Sequence, residues 1–383
     1  MKKGWQTKTI GDVCEVIAGQ SPEGKFYNAE GKGMPFYQGK KDFGDKFIEA
    51  PTTWTTQTTK IAKEGDILMS VRAPVGPVNF ATDEVCIGRG LAAIRSSDEL
   101  NRDFLFYQLW HLQPEIAGRE GAVFASINKA EIEALPLAYA PLAEQQRIVG
   151  LLDEAFEGLA TAKANTEKNL QNARALFESH LQSVFTQRGP GWVEKRFDEV
   201  CAITSTLVDP RKKEFLDLTH VGAGNIESKT GVFVDLKTAR EEGLISGKFL
   251  FDDSMVLYSK IRPYLMKVAR PDFEGLCSAD MYPLSPIQNV ITRDYLFHLL
   301  LSKHFTDYAI QGSARAGMPK VNRDHVFEFR VFLPDVKKQK QLAANLDDLH
   351  EETQRLARLY EQKHAALEAL KKSLLHQAFT GAL

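Results

Sequence analysis

The sequence predicts an α+β protein assembled twice over. It holds two tandem α/β domains separated by two long helices, which pair as an antiparallel coiled coil with pseudo-two-fold symmetry. Three observations predict this. The opening stretch GWQTKTIGDVC (4–14) returns as GWVEKRFDEVC (191–201), 187 residues on. Further matches keep the same order: NRDFLFYQL (101–109) with TRDYLFHLL (292–300), INKAEI (127–132) with VNRDHV (321–326), and SHLQSVFT (179–186) with SLLHQAFT (373–380). Each copy also closes in a long proline-free run with a single apolar stripe. Because the offset grows only from 187 to 194, seven residues of loop insertion account for the drift.

Each globular part carries short β-type runs between Gly, Pro, Asn and Thr: DILMSV (66–71), PVNFA (77–81), MVLYSKI (255–261) and FEFRVFL (327–333). The matched segments at 101–109 and 292–300 read as helices, with Phe104, Leu105, Gln108 and Leu109 answered by Tyr295, Leu296, Leu299 and Leu300. The first long helix is predicted over 144–186, after Pro141 in its first turn. Its stripe is Ile148, Leu152, Phe156, Leu159, Ala162, Thr166, Leu170, Ala173, Phe177, Leu181 and Val184. The second is predicted from Asp335, a good N-cap, to the end. Its stripe is Leu342, Leu346, Leu349, Leu356, Tyr360, His364, Leu367, Leu370, Leu374 and Ala378. Helices of ~65 Å with one apolar stripe need a partner. Pairing with each other is one solution, and packing of each helix on its own domain is the other. The division is 1–140, 141–187, 188–334 and 335–383.

Composition narrows the class. A chain that is 43% hydrophobic, 26% charged and 10% aromatic is ordinary globular material. No apolar run reaches the ~18–20 residues of a membrane span. Lys2 and Lys3 are not followed by the apolar run of a signal peptide, so a cytoplasmic protein is expected. Cys14, Cys86, Cys201 and Cys277 form no CxxC pair and read as small core residues, with no metal site. Neither half is basic: 16 basic against 18 acidic residues over 1–140, and 20 against 19 over 188–334. Nucleic-acid binding therefore rests on local clusters, and the isolated chain is expected to bind DNA weakly.

No catalytic set stands out. The [ND]PP[YF] run of an amino-methyltransferase is absent, and so is a GxxxxGK[ST] loop. GAGNIESKTG (222–231) has Ser228 where the last glycine of such a loop belongs, and reads as a turn or a DNA-facing loop. His220, His298, His304 and His325 are scattered and read as solvated or core residues. No cofactor is expected.

LPLAYAPLAEQQRIVGLLDEAF (135–156) resembles the junction of the DNA-specificity subunit of type I restriction–modification systems, where P-L-x-x-Q-x-x-I-V-x-x-L-D leads into a long helix. GWxxKxxxxVC at each start, GDILMSVRAPVG (65–76) and GSARAGMPKVN (312–322) also resemble family elements. The second junction, LPDVKKQKQLAANLDDL (333–349), departs from the pattern, lacking Glu-Gln and Ile-Val. The resemblance implies that 1–140 and 188–334 are target-recognition domains, each reading one half of a split, asymmetric double-stranded DNA target. The helices would set the gap and dock modification subunits that transfer methyl groups from S-adenosylmethionine, and a translocating restriction subunit could join. The chain itself would be no enzyme. The rival readings are a duplicated enzyme with a cleft site, for which no acid–base–nucleophile set exists, and a coiled-coil adaptor with two protein-binding end domains and no DNA role.

Base edges are read by Arg or Lys at guanine and Asn or Gln at adenine, and phosphates are held by Lys, Arg and hydroxyls. In the first domain the candidates are Gln38, Lys40, Lys41 and Lys46 in YQGKKDFGDK, Gln57 and Lys60 in TTWTTQTTK, Arg72 after the DILMSV run, Arg89 between two glycines, and Lys129 in INKAEI. In the second they are Arg211, Lys212 and Lys213 in DPRKKE, Lys260 and Arg262 in SKIRPY, and Arg315, Lys320 and Arg323 in GSARAGMPKVNR. The Thr and Gln density of 52–60 has no evident core use.

Overall fold

The structure, a computed structural model, describes residues 4–117, 126–313 and 319–383. Arg315 lies outside them. The chain forms two compact units: Met1–Thr166 with Gln362–Leu383, and Glu167–Glu361.

In the first unit the opening motif becomes the strand Gln6–Thr9, which pairs antiparallel with Pro136–Tyr139, the last strand before the long helix. This answers why the motif starts each copy: it closes the domain by pairing its first strand with its last. A four-stranded antiparallel sheet runs Cys14–Ala18, Leu91–Ser96, Ile67–Ser70, Val78–Phe80. A five-stranded sheet runs Tyr27–Asn28, Trp54–Thr55, Met34–Tyr37, Val85–Ile87, Ile61–Ala62, with the Met34–Tyr37 and Val85–Ile87 pair parallel.

The second unit repeats the plan. Val193–Arg196 pairs with Arg330–Leu333. The four-stranded sheet runs Cys201–Ala202, Met281–Pro286, Val256–Ser259, Val268–Ala269. The five-stranded sheet runs Leu207–Val208, Lys248–Phe251, Gly275–Cys277, Thr219–Val221, Lys237–Thr238, again with one parallel pair, Thr219–Val221 and Gly275–Cys277. The predicted run 327–333 is strand only from Arg330, because the helix Arg323–Glu328 takes its first two residues.

The matched segments at 101–109 and 292–300 are helices, Arg102–Ala117 and Arg293–Leu301. Burial goes round more than one face, since Phe106 and Tyr107 are buried with Phe104 and Leu105. The long helices are Leu142–Thr186 and Val336–Thr380. Asp335 caps the second, its Oδ1 accepting from the Lys338 amide at 2.8 Å.

Both long helices contribute to each unit. In the first unit Ile148 and Leu152 join a core with Leu105, Leu137, Leu375 and Ala378. Arg147 donates to the Leu383 carbonyl and Lys163 pairs with Glu368 at 2.9 Å, so the two segments run antiparallel. In the second unit Phe177, Leu181 and Val184 join a core with Leu299, Ala343 and Leu346. There Arg174 pairs with Glu361 while Phe177 packs on His350, again antiparallel. The two packing solutions open at the sequence level thus coexist within each unit. Each such Phe, Leu or Val contributes about 1.5–3 kcal/mol on burial. Leu370 departs from the predicted stripe: it is 47% exposed, and Lys371 takes the inner face with its ammonium 3.9 Å from the Trp110 ring. Among the described residues no helix is long and apolar enough to cross a membrane.

Candidate nucleic-acid interface

The two units build one local site from corresponding elements. In the first, strand Ile67–Ser70 ends at Arg72, and the Ser70 hydroxyl donates to the Arg72 carbonyl at 3.1 Å. Val71 donates to the Gly90 carbonyl at 3.0 Å and accepts from Ile127 at 3.1 Å, while Arg72 bridges to Ser126. In the second, the Ser259 hydroxyl donates to the Ile261 carbonyl at 3.2 Å. Lys260 donates to the Asp280 carbonyl at 3.1 Å and accepts from Val321 at 2.9 Å, and Ile261 bridges to Lys320. Each unit thus brings together a strand end, the turn before the next strand, and the loop that precedes a short helix. Asp280 occupies the place that Gly90 holds in the first unit.

In the first unit this gathers Gln38, Lys40, Arg72 and Arg89 around a depression of about 230 Å³. All four are exposed. The amide of Arg89 is anchored to the Ser21 hydroxyl at 3.2 Å. Glycine is required at 90, because a Cβ there would lie 2.2 Å from the Gln38 carbonyl oxygen. Among the described residues no carboxylate lines the depression, and none of its three cations has an ion-pair partner.

The other candidates of this unit lie apart from that depression. Lys41 sits 3.8 Å from Asp42, and Lys129, on the outer side of the helix Lys129–Glu133, 3.5 Å from Glu133. Gln57 and Lys60 are exposed. Lys46 is half-buried and engaged by the protein: its ammonium is 3.0 Å from Asp103, 3.4 Å from Asp153 on the long helix and 5.1 Å from the Tyr107 ring. The Thr-rich stretch has internal uses after all. Thr55 is fully buried and donates to the Gln57 carbonyl at 2.8 Å, and Thr59 donates to the Gln20 carbonyl.

In the second unit Lys260, Arg262, Lys320 and Arg323 come together. Lys260 is mostly buried, over the Tyr282 ring at 5.3 Å, and donates to the Ala279 carbonyl. Burial pulls its pKa down. Lys320 lies 3.1 Å from Asp280. Arg262 is exposed, in the left-handed region at φ 49°, with its amide donating to the Pro319 carbonyl at 2.8 Å. Arg323 lies over Phe327. Arg211 is clamped to Asp209 by two hydrogen bonds of 2.9 and 2.8 Å, which hold that carboxyl at about 2; Lys212 and Lys213 are exposed beside it. The 222–231 segment is a turn on the long helix, with Lys229 2.7 Å from Glu178.

Sequence reasoning missed the residues that seat these sites on the helices. Gln145 is fully buried; its Oε1 accepts from the Asn101 amide at 2.7 Å and its Nε2 donates to the Ala140 carbonyl at 2.8 Å. Gln339 repeats this, accepting from the Thr292 amide at 3.0 Å and donating to the Pro334 carbonyl at 2.9 Å. Asp153 accepts from the Tyr107 hydroxyl, and Asp347 sits 2.9 Å from His298 Nε2. Sliding the two junctions together by 194 residues pairs Gln145 with Gln339 and Asp153 with Asp347, and their partners Asn101 and Tyr107 match Thr292 and His298 at an offset of 191.

A profile of the type I restriction modification DNA specificity domain matches residues 2–171 and again 190–363. The EcoDI type I restriction enzyme specificity subunit of Escherichia coli is 25% identical over 414 residues, spanning 99% of this chain and 88% of that one. The MjaX putative type I restriction enzyme specificity subunit of Methanocaldococcus jannaschii is 39% identical over 174 residues, 44% of this chain and 40% of that protein. Among solved structures, a chain from a study of complex assembly and conformational transition of a type I R-M system superposes with TM-score 0.80 at 16% identity, covering 100% of this chain and 99% of that one. The HsdS subunit from Thermoanaerobacter tengcongensis gives 0.65 at 18% identity, covering 100% and 98%. The fold is therefore that of these subunits. With the specificity-domain profile met twice along most of its length, the chain belongs to the type I restriction–modification DNA-specificity family.

Proposed function

We propose that this chain is the non-catalytic, sequence-specific DNA-recognition subunit of a type I restriction–modification complex. Domains 1–140 and 188–334 each read one half of a split double-stranded target. The helices over 141–187 and 335–383 set the gap and dock modification subunits, and a restriction subunit joins the assembly. The complex works in the cytoplasm, and the methyl donor belongs to the modification subunits. The observation that carries this reading is the twice-built backbone frame at the strand ends, which gathers Gln38, Lys40, Arg72 and Arg89 in the first unit and Arg262, Lys320 and Arg323 in the second, in a family of DNA-specificity subunits. DNA contacts are assigned to Gln38, Lys40, Arg72 and Arg89 in the first domain and to Arg262, Lys320 and Arg323 in the second, with the exposed Lys41, Gln57, Lys60, Lys129, Lys212 and Lys213 as flanking phosphate contacts.

The test is a domain exchange. Residues 1–140 are replaced by the equivalent domain of a relative, the chain is co-expressed with its modification subunits, and the methylated motif is sequenced. One half of the motif changes and the other stays. A change in both halves, or in neither while methylation continues, refutes the assignment.

A further inference from the structure

The two corresponding sites differ in hydrogen-bond chemistry. The first surrounds its depression with Arg72, Arg89 and Lys40 and, among the described residues, no acid. Guanidinium groups present planar forks of donors that match the O6 and N7 acceptors of guanine. Both arginines are fixed at the backbone, Arg72 through Ser70 and Ser126 and Arg89 through Ser21 and two flanking glycines. Fixed backbones aimed at one concavity suit a base edge better than a sliding phosphate.

The second site places a carboxylate at the matching turn. Asp280 Oδ1 is 3.1 Å from Lys320 and 3.9 Å from Lys260, and Asp280 Oδ2 has no partner among the described residues. The side chain is 46% exposed. A bare carboxylate would be repelled by a phosphate backbone, but two ammonium groups on one oxygen remove that repulsion. They leave the other oxygen as an oriented acceptor.

We propose that the two readers use opposite base-edge chemistry: the first selects guanine through Arg72 and Arg89, and the second sets Asp280 against the exocyclic amino group of cytosine or adenine. The inference rests on the DNA-reading function proposed above and specifies the bases it reads.

The experiment uses the full chain in complex with its modification subunits and reads the methylated motif for Arg72→Ala, Arg89→Ala and Asp280→Asn. The arginine variants lose roughly tenfold to a hundredfold discrimination at a guanine of the first half. Their second half is unchanged. Asp280→Asn relaxes or switches one cytosine or adenine position of the second half alone. Asp280→Ser, which also lacks the carboxylate, must affect the same position and covers the case in which the asparagine variant does not assemble. A uniform drop across all sequences for the arginine variants, or a second half as selective as wild type without Asp280, overturns the proposal and leaves DNA recognition standing. A wild-type complex that methylates no defined motif overturns both.

Discussion

His298 Nε2 lies 2.9 Å from Asp347 Oδ1, joining the buried helix Arg293–Leu301 to the second long helix. Arg270 completes the contact with two hydrogen bonds to the same carboxylate, 2.7 and 3.1 Å, and a third to Asp294 at 2.8 Å. The first unit has the same arrangement in other residues: Tyr107 donates to Asp153, and Lys46 spans Asp153 and Asp103. A hydroxyl that stays protonated holds one unit, and an imidazole that titrates holds the other.

That difference makes the second unit the acid-sensitive one. Burial lowers the pKa of His298 despite its aspartate, and burial likewise lowers His220, His304 and His350, all in the second unit. In the first unit burial lowers His111. A histidine with a depressed folded pKa takes up its proton more readily when unfolded, so its contribution is complete above ~6.5 and is lost as pH falls. Burial pushes the Asp347 carboxyl up, but hydrogen bonds from His298 and Arg270 hold it well below its ordinary value, and its contribution is also lost on the acid side. Hydrogen exchange followed by unit between about pH 7.5 and 5.5 should show protection falling first in Glu167–Glu361. Equal loss in both units would contradict this.

Removing the carboxylate should uncouple Arg270 and His298 together. Asp347→Ala is expected to cost about 1–3 kcal/mol, since it strands a buried imidazole but leaves a partly exposed guanidinium that water can reach. Thermal unfolding of the whole chain measures it. A cost below a few tenths of a kcal/mol would mean that the apolar contacts alone seat the helix.

The buried glutamines allow a matched comparison. Gln145→Ala and Gln339→Ala each orphan a buried amide and two carbonyls, and each should cost about 2–4 kcal/mol. Similar losses in denaturant midpoints are expected from the two variants. If only Gln145 matters, the second junction has lost the role its geometry indicates.

These glutamines also show how far the sequence could be read. The duplication, both long helices and the Asp335 cap are legible, because they rest on periodicity and local chemistry, whereas of the closing strands only Arg330–Leu333 lies within a predicted run. Gln339 is not legible, because the second junction has replaced Glu-Gln and Ile-Val around it while keeping the one amide that the fold needs. The spacing of the stripe predicts Leu370 inward. The structure reverses this because the Lys371 stem packs and its charge rests on Trp110. Candidate DNA residues were legible by type only. Nothing in YQGKKDFGDK separates Lys40, which faces solvent, from Lys46, whose partners Asp103 and Asp153 are distant in sequence.

A four-residue insertion between 160 and 165 adds about 6 Å of helix and turns the following face by only about 40°. With ~3.4 Å per base pair, the gap between half-sites should widen by one or two base pairs with both halves kept. Sequencing of the methylated motif decides, and loss of the old gap with no new one would mean that the helix does not set it.

A fragment of residues 1–187 loses Leu375, Ala378 and Phe379, which complete the first core and its rim. Its own Leu181, Val184 and Phe185 stand at the matching positions, 194 residues earlier. Two copies can therefore supply one another, giving a dimer that directs methylation to a palindrome of the first half-site. Light scattering and motif sequencing test both parts, and a stable monomer would refute the exchange.

The first unit takes its last segment, Gln362–Leu383, from the far end of the chain. On the ribosome, roughly 200 residues must be made after Thr166 before that segment exists, which takes about 10–40 s at ordinary rates of synthesis. Throughout that interval the nascent first core exposes the apolar seat of Leu375 and Ala378, while the second unit can already close. The half of the protein translated first is therefore the half whose core is completed last.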